Sequence, residues 1–410
     1  MQRRGDELAD VLARALASAL PGADDRWTHG FHPWPARMHP DLASVICGTL
    51  VKPGTRVLDP FCGSGTVLLE AMAAGGIAWG VDLHPLAIRI AALRCTRTSE
   101  AERAELLAAI DAVSETSLGL VRARADIRAP LSGDERQWYA GHVLRELACL
   151  HASVASAAPR WRPALELLFS AIVVKFSRQR ADTSAVAVEK TIGKGVPSKF
   201  FARKGHELVE RLRALAEALP ADAVTPVVRL GDARALVDVV GDGAPFQLIL
   251  SSPPYAGTYD YVEHHARREP WLGIRSKALR QREMGARRDY GGEGREAIAR
   301  WDREVTTYLR SMRSVLTEDG TCVLLVGDGE IARTRVPADR QIERLAPTVG
   351  LRVRAVASQP RVDWRGGEAR AEHLVALAAT ADPTLGLPPR PHAASRTSTS
   401  RKVHRRRRGS

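Results

Sequence analysis

Two short polar loops in this chain each follow directly on an apolar run, and between them they hold the residue types needed for chemistry on the amine of a flat base. The first run is Val57-Leu58-Asp59-Pro60-Phe61-Cys62-Gly63-Ser64-Gly65-Thr66. Its two glycines let a backbone come close to a nucleotide-like ligand at the turn between a strand and a helix. The second is Leu248-Ile249-Leu250-Ser251-Ser252-Pro253-Pro254-Tyr255. An exocyclic amine is a poor nucleophile because its lone pair is delocalised into the ring, so a catalyst must supply acceptors for its protons. The Ser252 hydroxyl and the Pro253 carbonyl are such acceptors. Tyr255 can stack on an extruded base, and Pro253 and Pro254 stiffen the loop that carries them.

A glycine turn after a strand serves several ligands, and the spacing separates them. Dinucleotide binding wants Gly-x-Gly-x-x-Gly, but the third place falls on Leu68. A phosphate-cradling loop wants Gly-Lys-Ser/Thr, and that is missing too. Asp82, at the end of the next strand, either accepts both ribose hydroxyls of a nucleoside or caps the helix that begins at His84-Pro85. The five cysteines, Cys47, Cys62, Cys95, Cys149 and Cys322, have no paired short spacing, so neither a zinc site nor a disulfide framework is indicated. The expectation is that no metal is bound and that the compartment is the reducing cytoplasm.

The elements that must position these loops follow from apolar periodicity. Leu8, Val11, Leu12 and Leu16 share one helix face within residues 6–20. Strands are predicted at 56–59, 77–82, 227–230, 246–250, 321–326 and 374–377, with a helix at 66–74. Between the second and third strands, residues 99–223 turn helical, with apolar spacing in 106–113, 143–154, 165–176 and 208–219. Inside that insertion, 177–204 is polar and basic and reads as loop. Residues 256–300 form a second long excursion, placed where it could cover a bound base.

The formal charge is +13, and residues after Asp382 contribute eight bases and no acid, so +13 less eight leaves +5 on the body. A basic tail on a mildly basic body suits a polyanion, through phosphate neutralisation and counterion release. A merely solvated tail is the alternative. Residues 383–410 are Pro, Ser, Thr and Arg and are expected to be disordered. There is no run of about 18 apolar residues, so no membrane segment is expected.

Asp59-Pro60-Phe61-Cys62-Gly63-Ser64-Gly65-Thr66 closely resembles motif I of the S-adenosylmethionine-dependent amino-methyltransferases. Ser252-Pro253-Pro254-Tyr255 resembles the catalytic motif of the DNA amino-methyltransferase superfamily, in the form that accompanies cytosine N4 more often than adenine N6 methylation. The resemblance covers roughly residues 29–90 and 227–380. It implies an α/β, Rossmann-like fold with a mostly parallel, doubly wound sheet and a large helical insertion. The chain then divides into the two halves of a methyltransferase domain (1–98 and 224–380), the insertion (99–223) and a basic tail (381–410).

By the same resemblance, Asp59, Phe61, Gly63 and Gly65 contact the cofactor S-adenosylmethionine, and Asp82, from its place at the end of the next strand, is expected to hold the cofactor's ribose. His29 to Pro40, with Pro35 at its centre, shapes the methionine end of that pocket or simply packs as an amino-terminal arm. Asp232 either accepts from the adenine amino group or belongs to a plain Gly-Asp turn. Ser252, Pro253, Pro254 and Tyr255 are the catalytic residues. Ring-carbon methylation, which in the family pattern uses a cysteine after a proline, has no such cysteine here. The implied partner is double-stranded DNA with a flipped base, with or without a cognate restriction nuclease, and no oligomeric state is implied. Tyr259, Asp260, Tyr261, His264, His265, Arg267 and Arg268 are placed to grip phosphates around that base. An RNA base methyltransferase and a non-catalytic nucleic-acid-binding protein are the other readings.

Overall fold

Val57 and Leu58 are both buried, yet they belong to different cores, and the same one-residue alternation separates Leu248 and Leu250 from Ile249, and Val323 and Leu325 from Leu324. Strands whose successive side chains are buried on both faces are the mark of a sheet covered on both sides. The computed structural model describes residues 2–20, 26–182, 184, 186–258, 260–275, 277–290, 294–361 and 370–380. The strands in chain order are β1 (Gln2–Gly5), β2 (Arg56–Asp59), β3 (Ile77–Asp82), β4 (Val227–Leu230), β5 (Phe246–Ser251), β6 (Leu316–Gly327), β7 (Gly329–Ile331), β8 (Thr334–Val336), β9 (Leu351–Arg361) and β10 (Arg370–Ala379). Among the described residues, β7 and β8 form a hairpin and the other eight form one sheet in the order β1-β9-β10-β6-β5-β2-β3-β4.

The run from β6 through β5, β2 and β3 to β4 is parallel, while β10 lies antiparallel between β6 and β9. The expected α/β, mostly parallel, doubly wound sheet is therefore present. One face is covered by the helices Leu8–Ser18, Pro40–Leu50 and Thr66–Ala73, the other by Gly294–Val315 and Ala338–Leu345. From β2 the chain proceeds outward through β3 and β4, then returns to the other side of β2 for β5 and β6. The order thus reverses between β2 and β5, and such a reversal opens a crevice beyond the carboxyl ends of the two strands.

Between β3 and β4 stand the helices Glu100–Arg122, Gly133–Arg136, Gly141–Ala155, Arg162–Phe176 and Val196–Ala218. They have their own core, including Ile110, Leu147, Leu168 and Phe201, which also takes in Phe31 from upstream of β2 and Trp271 from beyond β5. The insertion is thereby bound to both segments that flank the crevice. The polar stretch 177–204 is only partly a loop, because helix resumes at Val196. Glu146 makes that start, accepting from the backbone N–H groups of Gly195 and Ser198.

β1, β9, the β7–β8 hairpin and the helix Ala338–Leu345 were not anticipated. β1 is wholly polar and exposed, and β9 alternates arginines with small apolar residues. Residues 256–300 fold more than expected, with short helices Tyr261–His265 and Lys277–Arg280 and the start of Gly294–Val315. The basic tail lies outside the described residues. Ile249 sits at the centre of the sheet with no exposed surface. Ile249→Ala is expected to lower the unfolding free energy by about 2–5 kcal/mol, read from the urea midpoint.

Candidate active site

β2 ends at Asp59 and β5 at Ser251, and because the two strands pair in parallel their following loops leave the sheet side by side. The Ser251 hydroxyl donates to Asp59 Oδ1 at 2.6 Å, and the Phe61 N–H donates to the same oxygen at 3.1 Å. Burial pushes the Asp59 carboxyl up to about 7, and these two donors pull against it. Beyond this junction opens a cavity of about 980 Å³, counting its solvent-open mouth. Asp59, Phe61, Gly63, Asp82, Asp232, Ser252 and Pro254 all line it.

The glycine loop keeps its shape for local reasons. Gly63 and Gly65 have φ of +47° and +83°, where a side chain is strained. A Cβ on Gly63 would lie 2.7 Å from Trp34 Nε1, and one on Gly65 would lie 2.9 Å from Ala91 Cβ. Gly65 thus serves the packing of the helix Thr66–Ala73 against Pro85–Arg94 and does not line the cavity. Asp82 accepts from the Gly63 N–H at 2.9 Å and from the His84 N–H at 2.8 Å. Capping of the helix Pro85–Arg94 falls instead to the His84 ring, whose Nδ1 accepts from the Leu86 N–H.

Beneath the loop, Arg94 is fully buried and donates to the Ser64 carbonyl at 2.8 Å, to the Ser64 hydroxyl and to His29 Nδ1 at 2.9 Å. That bond fixes the tautomer: His29 is neutral, with Nε2–H donating to Glu70 at 2.6 Å. Burial and the neighbouring Arg94 hold the His29 ring well below its ordinary value, in agreement. Glu70 in turn accepts from Arg26. The network clamps the segment upstream of β2 onto the glycine loop, and Trp34, Ala36, Arg37 and Met38 of that segment line the cavity. Pro35 does not.

The tetrapeptide expected to be catalytic is split. Ser252 and Pro254 face the cavity, whereas Pro253 and Tyr255 are not among its lining residues. The Tyr255 hydroxyl donates to Glu372 at 2.9 Å, and its ring lies against Gly327 and beneath the Arg361 guanidinium. Both carboxylate oxygens of Asp232 accept from Arg234, at 2.9 and 2.8 Å, and Arg282 adds a further donor at 3.1 Å. Burial pushes the Asp232 carboxyl up, but those donors outweigh it and hold it below the ordinary range.

The expected phosphate grip needs correction. Arg268 is 1% exposed and donates to Asp182 and to the Ser170 carbonyl, and Arg267 stacks on Trp138 at 3.9 Å. His265 is fully buried, stacked on Trp34 at 4.4 Å, with neither ring nitrogen hydrogen-bonded, and burial holds it neutral. These three are packing residues. Tyr259 lies outside the described residues, while Tyr261 lines the cavity.

Sequence reasoning missed Ser251 and, within the excursion after Tyr255, did not single out the Leu279, Arg282, Glu283 and Met284 that line the cavity. The Ser-Ser doublet at 251–252 held the one available signal, since alternation along β5 sends the two side chains in different directions. Asp328, Asp339 and His373 form a cluster of metal-ligand type, but Asp328 is already filled by the N–H groups of Ala338 and Ala371 and by Arg335 and His373.

Residues 26–128 match the family described as UPF0020: RMKL-like, methyltransferase domain. The chain has the fold of an S-adenosylmethionine-dependent methyltransferase. It is 45% identical over 62 residues to the Type II methyltransferase M.MvaI of Kocuria varians, 14% of either chain. Over 66 residues it is 33% identical to the Type II methyltransferase M.MjaII of Methanocaldococcus jannaschii, 16% of this chain and 12% of that protein. The chain therefore spans 14% and 12% of the lengths of these relatives. Among solved structures, the rRNA methyltransferase aviRa from Streptomyces viridochromogenes aligns at 15% identity and TM-score 0.32, over 90% of this chain and 93% of that one. TrmN from Thermus thermophilus aligns at 13% identity and TM-score 0.31, over 90% and 53%. No helix among the described residues is long and apolar enough to cross a membrane.

Gly63→Ala is expected to weaken binding of S-adenosylhomocysteine about tenfold, read by calorimetry, since strain alone in that conformation costs about 1–2 kcal/mol. Gly48→Ala, in a helix with open space around it, is expected to leave binding unchanged and to raise stability by about 0.5–1 kcal/mol. The Asp59 carboxyl is expected to titrate near 7 by carbon NMR, against an ordinary 3.8. Because the folded value is the raised one, Asp59's contribution to stability is full below pH 3.8 and is lost as the pH rises through about 7.

Proposed function

We propose that this chain transfers the methyl group of S-adenosylmethionine to an exocyclic amino nitrogen of a DNA base, cytosine N4 first among them, alone or beside a cognate nuclease. One observation carries the reading: Ser252, at the end of β5, and the glycine loop, at the end of β2, line the same cavity. The residues present suit the donor. Its sulfonium is cationic, and the cavity is lined by Asp59, Asp82 and Asp232 and by the rings of Trp34 and Phe61. Gly63 brings backbone close to where a nucleoside would lie, and Asp82, which shapes the loop, is placed for its ribose. Bound there, S-adenosylmethionine supplies an electrophilic methyl group.

The chain's own part is to prepare the nitrogen. Ser252 Oγ, which lines the cavity, accepts a hydrogen bond from the amine and localises its lone pair as nitrogen turns tetrahedral. Base stacking by Tyr255 requires its hydroxyl to part from Glu372 and its ring to turn toward the cavity. Ring-carbon chemistry finds no support. Cys62 lines the cavity, but burial and the nearby Asp82 and Asp59 push its thiol far above the ordinary range, so no thiolate nucleophile stands ready. The short matches to two proteins named as Type II methyltransferases support the same reading.

Incubation with labelled cofactor and either genomic DNA or total RNA, followed by digestion to nucleosides, tests the reading. Label is expected in N4-methyl-2′-deoxycytidine from DNA. Label in RNA alone would move the activity to an RNA base, and label in neither would leave a non-catalytic binding protein. Ser252→Ala is expected to keep cofactor affinity and lower turnover by about 10²-fold or more. Equal loss of both would make Ser252 an architectural residue.

A further inference from the structure

The insertion contributes no residue to the cavity lining, yet it carries an unusual concentration of charge. Between Lys175 and Lys204 stand eight Lys and Arg against two acids, Asp182 and Glu189, while the rest of residues 99–223 holds more acids than bases. Elsewhere on the surface, arginines are commonly tied to carboxylates: Arg3 to Asp10, Arg213 to Glu210, Arg344 to Asp302, Arg354 to Asp6. In this stretch, Lys175, Arg180, Lys194, Lys199 and Arg203 are exposed and none makes an ion pair among the described residues.

Their arrangement is built. Phe200 is fixed edge-on against Phe176 at 5.5 Å, and the charged ends of Lys175 and Arg203 lie over its ring at 5.0 and 4.5 Å. Lys199 and Arg203 are one helical turn apart and so share a face. The loop leading into that helix is held from inside. Lys190 donates to the carbonyls of Lys175 and Gln179 at 3.1 and 2.6 Å, and the backbones of Arg178 and Arg180 pair with Val188 and Val186. The same loop is bound to the cavity's cover, because Asp182 accepts from Arg268 of the segment that follows Tyr255. Trp271 of that segment is buried in the insertion's own core.

We infer that the face made by Lys175, Phe200, Lys199 and Arg203 is the docking surface for the phosphate backbone of the nucleic acid whose base enters the cavity. The inference rests on the proposed function. A cluster of cations without ion-pair partners suits a polyanion with about one charge per 1.7 Å of duplex axis, and the guanidinium and ammonium groups held over an aromatic ring are already partly ordered. Contacts of this kind position without reading sequence. The insertion then orients the duplex while the sheet does the chemistry, and the Arg268–Asp182 pair keeps the two in register.

The test compares the full-length chain with a triple variant, Lys175→Gln, Lys199→Gln and Arg203→Gln, and with a control of equal charge change on exposed positions elsewhere, Arg14→Gln, Arg310→Gln and Arg352→Gln. Binding of a 24-base-pair duplex, a single strand and a duplex RNA of the same sequence is followed by fluorescence anisotropy across salt concentrations. The patch variant is expected to bind the duplex DNA about tenfold or more weakly and to lose about 2–3 from the slope of log K against log salt, near 0.9 per phosphate contact. Its S-adenosylhomocysteine affinity and melting temperature are expected to stay unchanged, and the control to bind like the parent. Equal weakening in patch and control variants, or an unaltered patch variant, would overturn the surface while leaving the proposed function standing. A stronger patch effect on the RNA duplex than on DNA keeps the surface and changes the substrate. A parent chain that binds no nucleic acid overturns both.

Discussion

The parallel pairing of β2 with β5 is the constraint on which the rest depends. Val57 and Leu58 lie opposite Leu248 and Ile249, so the loops after Asp59 and Ser251 must leave the sheet in one direction and at one level. The Ser251–Asp59 hydrogen bond then ties them at the point of exit. No long-range device is needed to bring the glycine turn to Ser252, because adjacency in the sheet does it. The burial of Leu58, Ile249, Leu248 and Val57 is what holds that adjacency.

Around this junction, two other parts are clamped rather than merely packed. The segment from Arg26 to Pro40 is held by a chain of buried polar groups, Arg94 to His29 to Glu70 to Arg26, in which each acceptor is filled by a defined donor. Removing one member would strand a buried charge, which costs more than the pair contributes. The segment after Tyr255 is held by the insertion, through Trp271 in its core and Arg268 on Asp182. The cavity therefore has a rigid floor from the sheet, one wall from upstream and a cover whose position the insertion sets.

Much of this was legible in the residues, and the exceptions have physical reasons. The central strands carry continuous apolar runs because both faces are buried, so β2, β3 and β5 were marked by composition alone. β1 was not, since an edge strand needs little burial and Gln2–Gly5 is exposed throughout, and β9 was not, since Arg352 and Arg354 interrupt its apolar run. Ser252, Asp59, Gly63 and Asp82, which line one cavity, could be picked out because their types stand directly after those runs. Tyr255 shows the limit of a motif: the residue type was read, but its rotation toward Glu372 depends on β10, more than a hundred residues away. Arg268 and His265 were misread for the same reason. A run of histidines and arginines after a loop reads as a surface, and only the insertion packed over it shows that it is interior.

The most direct measurement is a crystal structure of the chain with sinefungin, whose amine stands where the donor's methyl group would. The account predicts the nucleoside against Gly63 and Asp82, with the amine directed to the part of the cavity lined by Ser252. Density for the ligand on any other face of the sheet, or in this cavity with Ser252 turned out of its reach, would contradict it.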